Sequence, residues 1–143
     1  MAVIELLIAT GAAAAPLPKP AYELAFEQCA ETAVTDPQIA ACYWGAVEAA
    51  DRVLNARWRE MNAKLTEDDF PGAKGKLLAE QRAWITFKES ACDFYDGNGF
   101  GSMHRVMAKP QCQKEIIEHR TAQLEAIITW ISPIEGVEAP TPE

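Results

Sequence analysis

Apolar residues recur every three or four positions along the chain, which is the spacing of one buried helix face. Four helices are predicted on this pattern, over residues 22–32, 37–64, 73–95 and 110–131. No segment alternates apolar and polar residues as a half-buried β-strand would, and no internal repeat is present. The pattern therefore predicts an all-α domain of about four helices.

The residues expected to face the core follow from the same spacing. In the first helix they are Leu24, Phe26 and Cys29, and in the second Trp44, Val47, Leu54, Trp58, Met61 and Leu65. In the third they are Leu77, Trp84, Phe87, Ala91 and Phe94, and in the fourth Ile116, Ile117, Leu124, Ile127, Ile128 and Ile131. All four tryptophans, including Trp130, are expected to pack in the core rather than to stack on a ligand.

Turn and cap signals separate these helices. Asp36 is a candidate N-cap, and Pro37 suits the first turn of the second helix. Residues 67–72 and the glycine-rich stretch 96–101 cannot continue a helix. Because the connections are short, neighbouring helices should run antiparallel in an up-and-down bundle.

Four cysteines indicate a disulfide framework, because an even number in a small exported domain is typical of one. Free or metal-binding thiols are the alternative, but the chain has no C-x-x-C spacing that would suit zinc. Each cysteine lies near a predicted helix end, so pairing in sequence order needs only that neighbouring helices pack. We therefore predict the disulfides Cys29–Cys42 and Cys92–Cys112 in an antiparallel bundle.

The N-terminal run from Val3 to Ala15 is apolar and alanine-rich and stops before Pro16. It predicts a signal peptide over 1–15, a proline-rich linker over 16–21, a helical domain over 22–131 and a mobile tail over 132–143. A disordered alanine-rich N-terminus is the alternative, because no Lys or Arg precedes the run and Glu5 lies within it. The run is shorter than the roughly 20 residues that span a bilayer, so we expect no membrane insertion and a periplasmic or secreted protein.

Composition and charge exclude some functions. The formal net charge of −8 argues against nucleic acid and is compatible with a basic protein partner. His104 and His119 are the only histidines, and neither has a metal-ligand spacing to an acid. The glycines at 97, 99 and 101 follow a helix rather than a strand, so they do not form a phosphate loop. We expect no enzyme activity, no metal and no cofactor.

Charged residues also fall on the apolar stripes. Asp51 fills the gap between Val47 and Leu54, and Arg120 lies among the isoleucines of the fourth helix. A charge at a core-facing position must be paired or reach solvent. We predict that Asp51 is largely buried and forms a structural ion pair with Arg82 or Arg120; an active carboxylate is the alternative.

Several ordered motifs resemble those of the LprI-like family, small exported bacterial proteins named for a lysozyme inhibitor. The motifs are Cys29, Thr32 and Cys42; Asp51-Arg52-Val53-Leu54-Asn55; Leu78 to Cys92, which contains Gln81-Arg82-Ala83-Trp84; Gly101-Ser102-Met103 and Cys112; and His119-Arg120-Thr121-Ala122-Gln123-Leu124. Departures from the family pattern occur at Trp58, Phe100 and Gln113. The resemblance covers about residues 22–131 and implies a helical fold; inhibition is attributed to the namesake and need not extend to every member.

The leading functional hypothesis is an exported, non-enzymatic binding protein that inhibits a c-type lysozyme. An envelope protein with a different partner is the alternative, an enzyme is a third, and the oligomeric state is left open. The loop 96–109 joins the third and fourth helices and lies between Cys92 and Cys112. Its predicted partner-binding residues are Asp96, Asn98, Phe100, Ser102, His104 and Arg105.

Overall fold

The computed structural model describes residues 19–132. The predicted signal peptide over 1–15, the start of the linker and the tail beyond residue 132 lie outside the described residues. Four α-helices are present: α1 (Ala21–Thr32), α2 (Asp36–Lys64), α3 (Ala73–Ser90) and α4 (Lys109–Ile131). A 3₁₀ turn at Asp93–Asp96 and a π-helical turn at His104–Ala108 lie between α3 and α4. Within 19–132 there is no β-strand, which confirms the prediction of an all-α, disulfide-stapled bundle.

The N-terminus of α2 differs from the prediction in its capping residue. Thr35, rather than Asp36, is the N-cap, with extended backbone angles, and its carbonyl accepts the Ile39 N–H at 2.9 Å. The side-chain oxygen of Gln38 accepts the Thr35 backbone N–H at 3.0 Å. Asp36 is the first helical residue. Its carboxylate lies in the first turn, where a negative charge interacts favourably with the positive end of the helix dipole.

The core lies mainly between α2 and α4. Its fully buried members come from three helices and the α2–α3 connection: Val47, Ala50, Leu54, Met61, Leu65, Leu77, Ile117, Leu124 and Ile128. Trp58 and Trp84 pack against this cluster while partly exposed. Burial of the valine, leucine, isoleucine and methionine side chains in this set contributes roughly 1.5–3 kcal/mol each to folding, so the cluster is a major source of stability.

Consecutive helices run antiparallel, but α2 and α4 run parallel. Val47 on α2 lies beside Ile117 on α4, and Arg57, ten residues further along α2, binds Glu125 at 2.8 Å. The contact further along α2 is therefore also further along α4, which shows that the two helices run in the same direction. The main interface is between helices that are not neighbours in sequence, which short connections alone do not predict.

Several predicted core residues are in fact exposed. Helix α3 ends at Ser90, five residues before the predicted end, so Phe94 lies outside it and is 58% exposed. The core-facing side of α3 is centred on Leu77, Gln81 and Trp84; Phe87 falls at its edge and is 55% exposed. Trp130, near the end of α4 and beyond the part covered by α1, is 92% exposed. Leu24 on α1 and Trp44 on α2 are also exposed.

Candidate partner-binding end of the bundle

Both disulfides lie at the same end of the bundle. Cys29 near the end of α1 is bonded to Cys42 near the start of α2, and Cys92 after α3 is bonded to Cys112 near the start of α4. The Cα–Cα distances are 5.6 and 6.1 Å, within the usual range for disulfides. The predicted pairing is present in the structure. We call this end, with the segment 93–109, the stapled end.

The segment 93–109 is compact. Gly97 donates its backbone N–H to the Phe94 carbonyl at 3.1 Å, and a Cβ at position 97 would lie only 3.1 Å from that oxygen. A side chain there would crowd the turn, so glycine fits the close approach. The π-helical turn then continues directly into α4. Such turns are rare and occur frequently at functional sites.

Lys109 fixes the 3₁₀ turn electrostatically. Its ammonium group forms ion pairs with Asp96 and with Asp93, the latter at 3.1 Å, and its side chain is only 18% exposed. Hydrogen bonds to Asp96 and Asp93 raise the pKa of Lys109 above its ordinary value. One cation therefore joins both ends of the turn and partly neutralises the two aspartates, including the predicted binding residue Asp96.

An aromatic cluster lies on this turn. The rings of Phe94 and Tyr95 have centroids 3.9 Å apart, and Phe100 meets both edge-on at 5.6 Å. The His104 ring lies 5.0 Å from that of Phe100. These contacts connect the 3₁₀ turn to the start of the π-helical turn, so two of the predicted residues, Phe100 and His104, are part of one packed unit.

The other predicted binding residues belong to the same segment and are exposed. Asn98, Ser102 and Arg105 are exposed, as is His104, whereas Phe100 is half-buried. The segment between Cys92 and Cys112 thus presents hydroxyl, amide, imidazole and guanidinium groups to solvent.

The predicted ion pair between Asp51 and an arginine is wrong. Asp51 pairs with Lys88 on α3 at 3.1 Å and accepts a hydrogen bond from Asn55 at 3.0 Å. Its side chain is 36% exposed, because it lies at the rim of the α2–α3 contact rather than in the core. Arg82 points to solvent on the outer side of α3, which places it out of reach.

Arg120 is buried as its stripe position predicts, but with other partners. It is 4% exposed and donates hydrogen bonds to Gln81 at 2.9 Å, Glu80 at 2.5 Å and Gln123 at 3.2 Å. Its Nη2 atom is buried without a hydrogen-bond partner among the described residues. The network connects α4 to α3.

A second buried cation, Lys114, is not predicted by the sequence pattern. Lys114 is 8% exposed and binds Glu23 on α1 and Glu118 on α4, each at 2.7 Å. Tyr22 donates its hydroxyl to the same Glu118 at 2.6 Å, and burial together with this bond raises the Tyr22 pKa. The i,i+4 spacing of Lys114 and Glu118 is the signal that could have identified the pair. This network docks α1 onto α4.

A groove of about 840 Å³ lies between α1, α2 and α4. Its floor is formed by small residues, among them Ala49, Ala56 and Ala122. Several charged groups at its rim are engaged, since Arg57 binds Glu125 and Glu118 binds Lys114. The groove is therefore mainly apolar, with ion pairs at its rim.

Residues 19–132 contain neither a metal-binding cluster nor a membrane-spanning helix. No group of three or more His, Cys, Asp or Glu side chains in that range could hold a metal ion. None of the described helices combines the length and the apolar character needed to cross a bilayer.

Comparisons with known proteins gave one result. Neither the curated proteins nor the solved structures yielded a match. The family model described as "Lysozyme inhibitor LprI" matches residues 28–124, about two thirds of the chain. That range contains all four cysteines, the segment 93–109 and the Arg120 network. On this match the chain belongs to the LprI lysozyme-inhibitor family.

Proposed function

We propose that this protein is an exported, non-enzymatic inhibitor of a c-type lysozyme. The observation that carries the proposal is the family match over 28–124, whose description names an inhibitor. Two disulfides support export, because such bonds persist in oxidising compartments. In this proposal residues 1–15 are a signal peptide and 22–131 are the inhibitory domain.

The inhibitory surface in this proposal is the stapled end. Lysozymes hydrolyse glycosidic bonds with two carboxyl groups that flank the scissile bond in a cleft. An inhibitor must fill that cleft and offer donors to those groups. Ser102, His104 and Arg105 are exposed on a segment held by a disulfide and by Lys109. A segment that is already ordered binds with a smaller entropy loss than a flexible one.

In this proposal the net negative charge of the whole protein attracts a basic lysozyme at long range. Asp93 and Asp96 are paired with Lys109, and Glu67 and Asp69 lie on the α2–α3 connection, at the other end of the bundle. The formal net charge of −8 nevertheless gives a negative field that would accelerate encounter with a basic enzyme. Salt should therefore slow association more than it speeds dissociation.

The test is lysozyme inhibition and isothermal titration with the purified, oxidised domain. The variant Ser102→Ala/His104→Ala/Arg105→Ala should bind at least about tenfold more weakly, because it removes three donors from the surface. The matched control is Lys74→Ala/Lys76→Ala, which removes exposed cations at the opposite end. It should bind as the parent does.

Absence of heat and of inhibition by the parent at high micromolar concentration would remove lysozyme as the partner and favour a different envelope protein. Equal binding by the triple variant would place the interface elsewhere on the bundle.

A further inference from the structure

Phe94 is a large apolar side chain displayed to solvent. It is 58% exposed, although it lies only two residues after the fully buried Cys92. Phenylalanine loses much of its favourable transfer energy when it is left in water. An ordered aromatic ring that remains exposed therefore indicates a structural role or a binding partner.

The structure holds this ring in place without burying it. Asp93 and Asp96 flank the turn, and Lys109 binds both carboxylates. Tyr95 supports one side of the ring and Phe100 meets it edge-on. The backbone of the turn is anchored at Cys92 by its disulfide. These ring contacts restrict Phe94, and a side chain that is already restricted loses less conformational entropy on binding.

The exposed apolar surface extends beyond Phe94. Phe100 connects it to His104, and Met103 next to His104 is 48% exposed. A shallow hollow of about 360 Å³ beside them is lined by Met103, His104 and Tyr43 of α2. A continuous apolar patch with a polar rim typically marks an interaction site. Arg105, the residue after His104, is exposed and adds a cation to this segment.

We infer that Phe94 is the apolar anchor that enters the sugar-binding cleft of a lysozyme, while Arg105 faces a cleft carboxylate. The inference rests on the proposed function and names the residue that contributes most of the binding energy. In lysozyme the catalytic acid lies in a hydrophobic pocket against a tryptophan, and the second carboxylate lies in a polar environment. A phenyl ring fits the first environment and a guanidinium the second. Aromatic and arginine side chains are also the groups in which binding energy concentrates.

The experiment compares Phe94→Ala with Trp130→Ala. Trp130 is an even more exposed aromatic residue at the far end of α4, so it controls for the loss of any surface ring. Phe94→Ala should raise the inhibition constant roughly 30-fold, the effect of a strong interface anchor. Trp130→Ala should change it by less than about twofold. Phe94→Trp should retain most of the inhibition. Circular dichroism and the thermal midpoint establish that all three variants are folded.

A competition experiment locates the anchor. A soluble trimer of N-acetylglucosamine should displace the parent from lysozyme, because both would occupy the sugar-binding cleft. If the parent inhibits but the trimer does not compete, the anchor lies outside the cleft and the inference is overturned. It is equally overturned if Phe94→Ala inhibits as well as the parent.

Two further outcomes separate this inference from the proposed function. If the parent itself does not inhibit, the proposed function fails, and the assignment to a lysozyme cleft fails with it. If sedimentation shows a parent dimer that Phe94→Ala converts to a monomer, the ring joins two copies of this chain. That result would overturn the anchor role even where inhibition is observed.

Discussion

Arg120 on α4 donates its Nε hydrogen bond to Oε1 of Gln81 on α3, across 2.9 Å, and both side chains are more than nine-tenths buried. The α3 backbone approaches that of α4 at few positions, so long side chains bridge the gap. Leu77 and Trp84 supply the apolar part of this contact. The Arg120–Gln81 bond supplies the polar part and sets how far α3 is rotated about its axis.

Removal of Arg120 should be strongly destabilising. Arg120→Ala leaves Gln81 buried without its donor and opens a cavity, and should lower the free energy of unfolding by about 3–5 kcal/mol. Urea unfolding followed by tryptophan fluorescence measures the effect. Arg82→Ala is the matched control, since it removes an exposed arginine from the same region and should cost less than about 0.5 kcal/mol. Coinciding midpoints for Arg120→Ala and the parent would contradict a buried role for the guanidinium.

Asp51 should contribute far less to the free energy of unfolding than its position on the apolar stripe suggests. Its partner Lys88 is 25% exposed and Asp51 itself 36% exposed, so water screens the pair. Asp51→Ala should cost about 1 kcal/mol or less. A double-mutant cycle with Lys88→Ala should give a coupling of a few tenths of a kcal/mol. A loss as large as that of Arg120→Ala would mean that the carboxylate is buried in solution.

The disulfides can be tested by non-reducing peptide mapping. The peptides Cys29–Cys42 and Cys92–Cys112 should be recovered, and a Cys29–Cys92 peptide would refute the pairing. Replacing both members of either pair with serine should lower the free energy of unfolding by roughly 3 kcal/mol. The two disulfides close loops of similar length, so each restricts the unfolded chain to a similar degree. Only the Cys92→Ser/Cys112→Ser variant should also weaken lysozyme binding at a temperature where both variants are folded.

Stability should fall at alkaline pH through Lys114. Burial alone would lower the pKa of Lys114, but hydrogen bonds to Glu118 and Glu23 outweigh it and raise the pKa above the ordinary 10.5. Because the folded protein holds this proton more tightly than the unfolded chain, the stabilisation is complete below pH 10.5 and disappears as the pH rises through the folded pKa. Lys109 and Tyr22 also have raised pKa values, so they act in the same direction.

Urea midpoints of the parent and of Lys114→Met, at about pH 9 and about pH 11.5, isolate the contribution of Lys114. The variant should lose less stability between the two pH values than the parent does. An equal loss in both proteins would show that Lys114 does not take part.

Local signals predicted much of the fold. The three-and-four spacing of apolar residues gave the four helices, because each helix must bury one face. Proximity of cysteines to helix ends gave the disulfide pairs. The end of α3 was missed because Phe94 continues the apolar spacing. The chain instead leaves the helix at Ser90 and brings Cys92 to Cys112.

Features that depend on the packing of distant elements were beyond the sequence. Asp51 and Arg120 both lie on apolar stripes, yet only Arg120 is buried, because α3 covers one position and merely borders the other. The parallel contact of α2 with α4 has no local signal at all. At the candidate site, the predicted loop residues include Phe100 and His104 of the aromatic cluster. Phe94 was assigned to the core, since periodicity alone does not distinguish a buried ring from a displayed one.

The order of the disulfides has a consequence for how the chain is oxidised. Four cysteines permit three pairings, and only in the present one is every partner the next cysteine along the chain. A polypeptide that enters an oxidising compartment N-terminus first exposes Cys29 and Cys42 well before Cys92. The first bond can then close before a competing thiol arrives, and the last two cysteines have only each other. Such a chain can reach its native crosslinks without a disulfide isomerase.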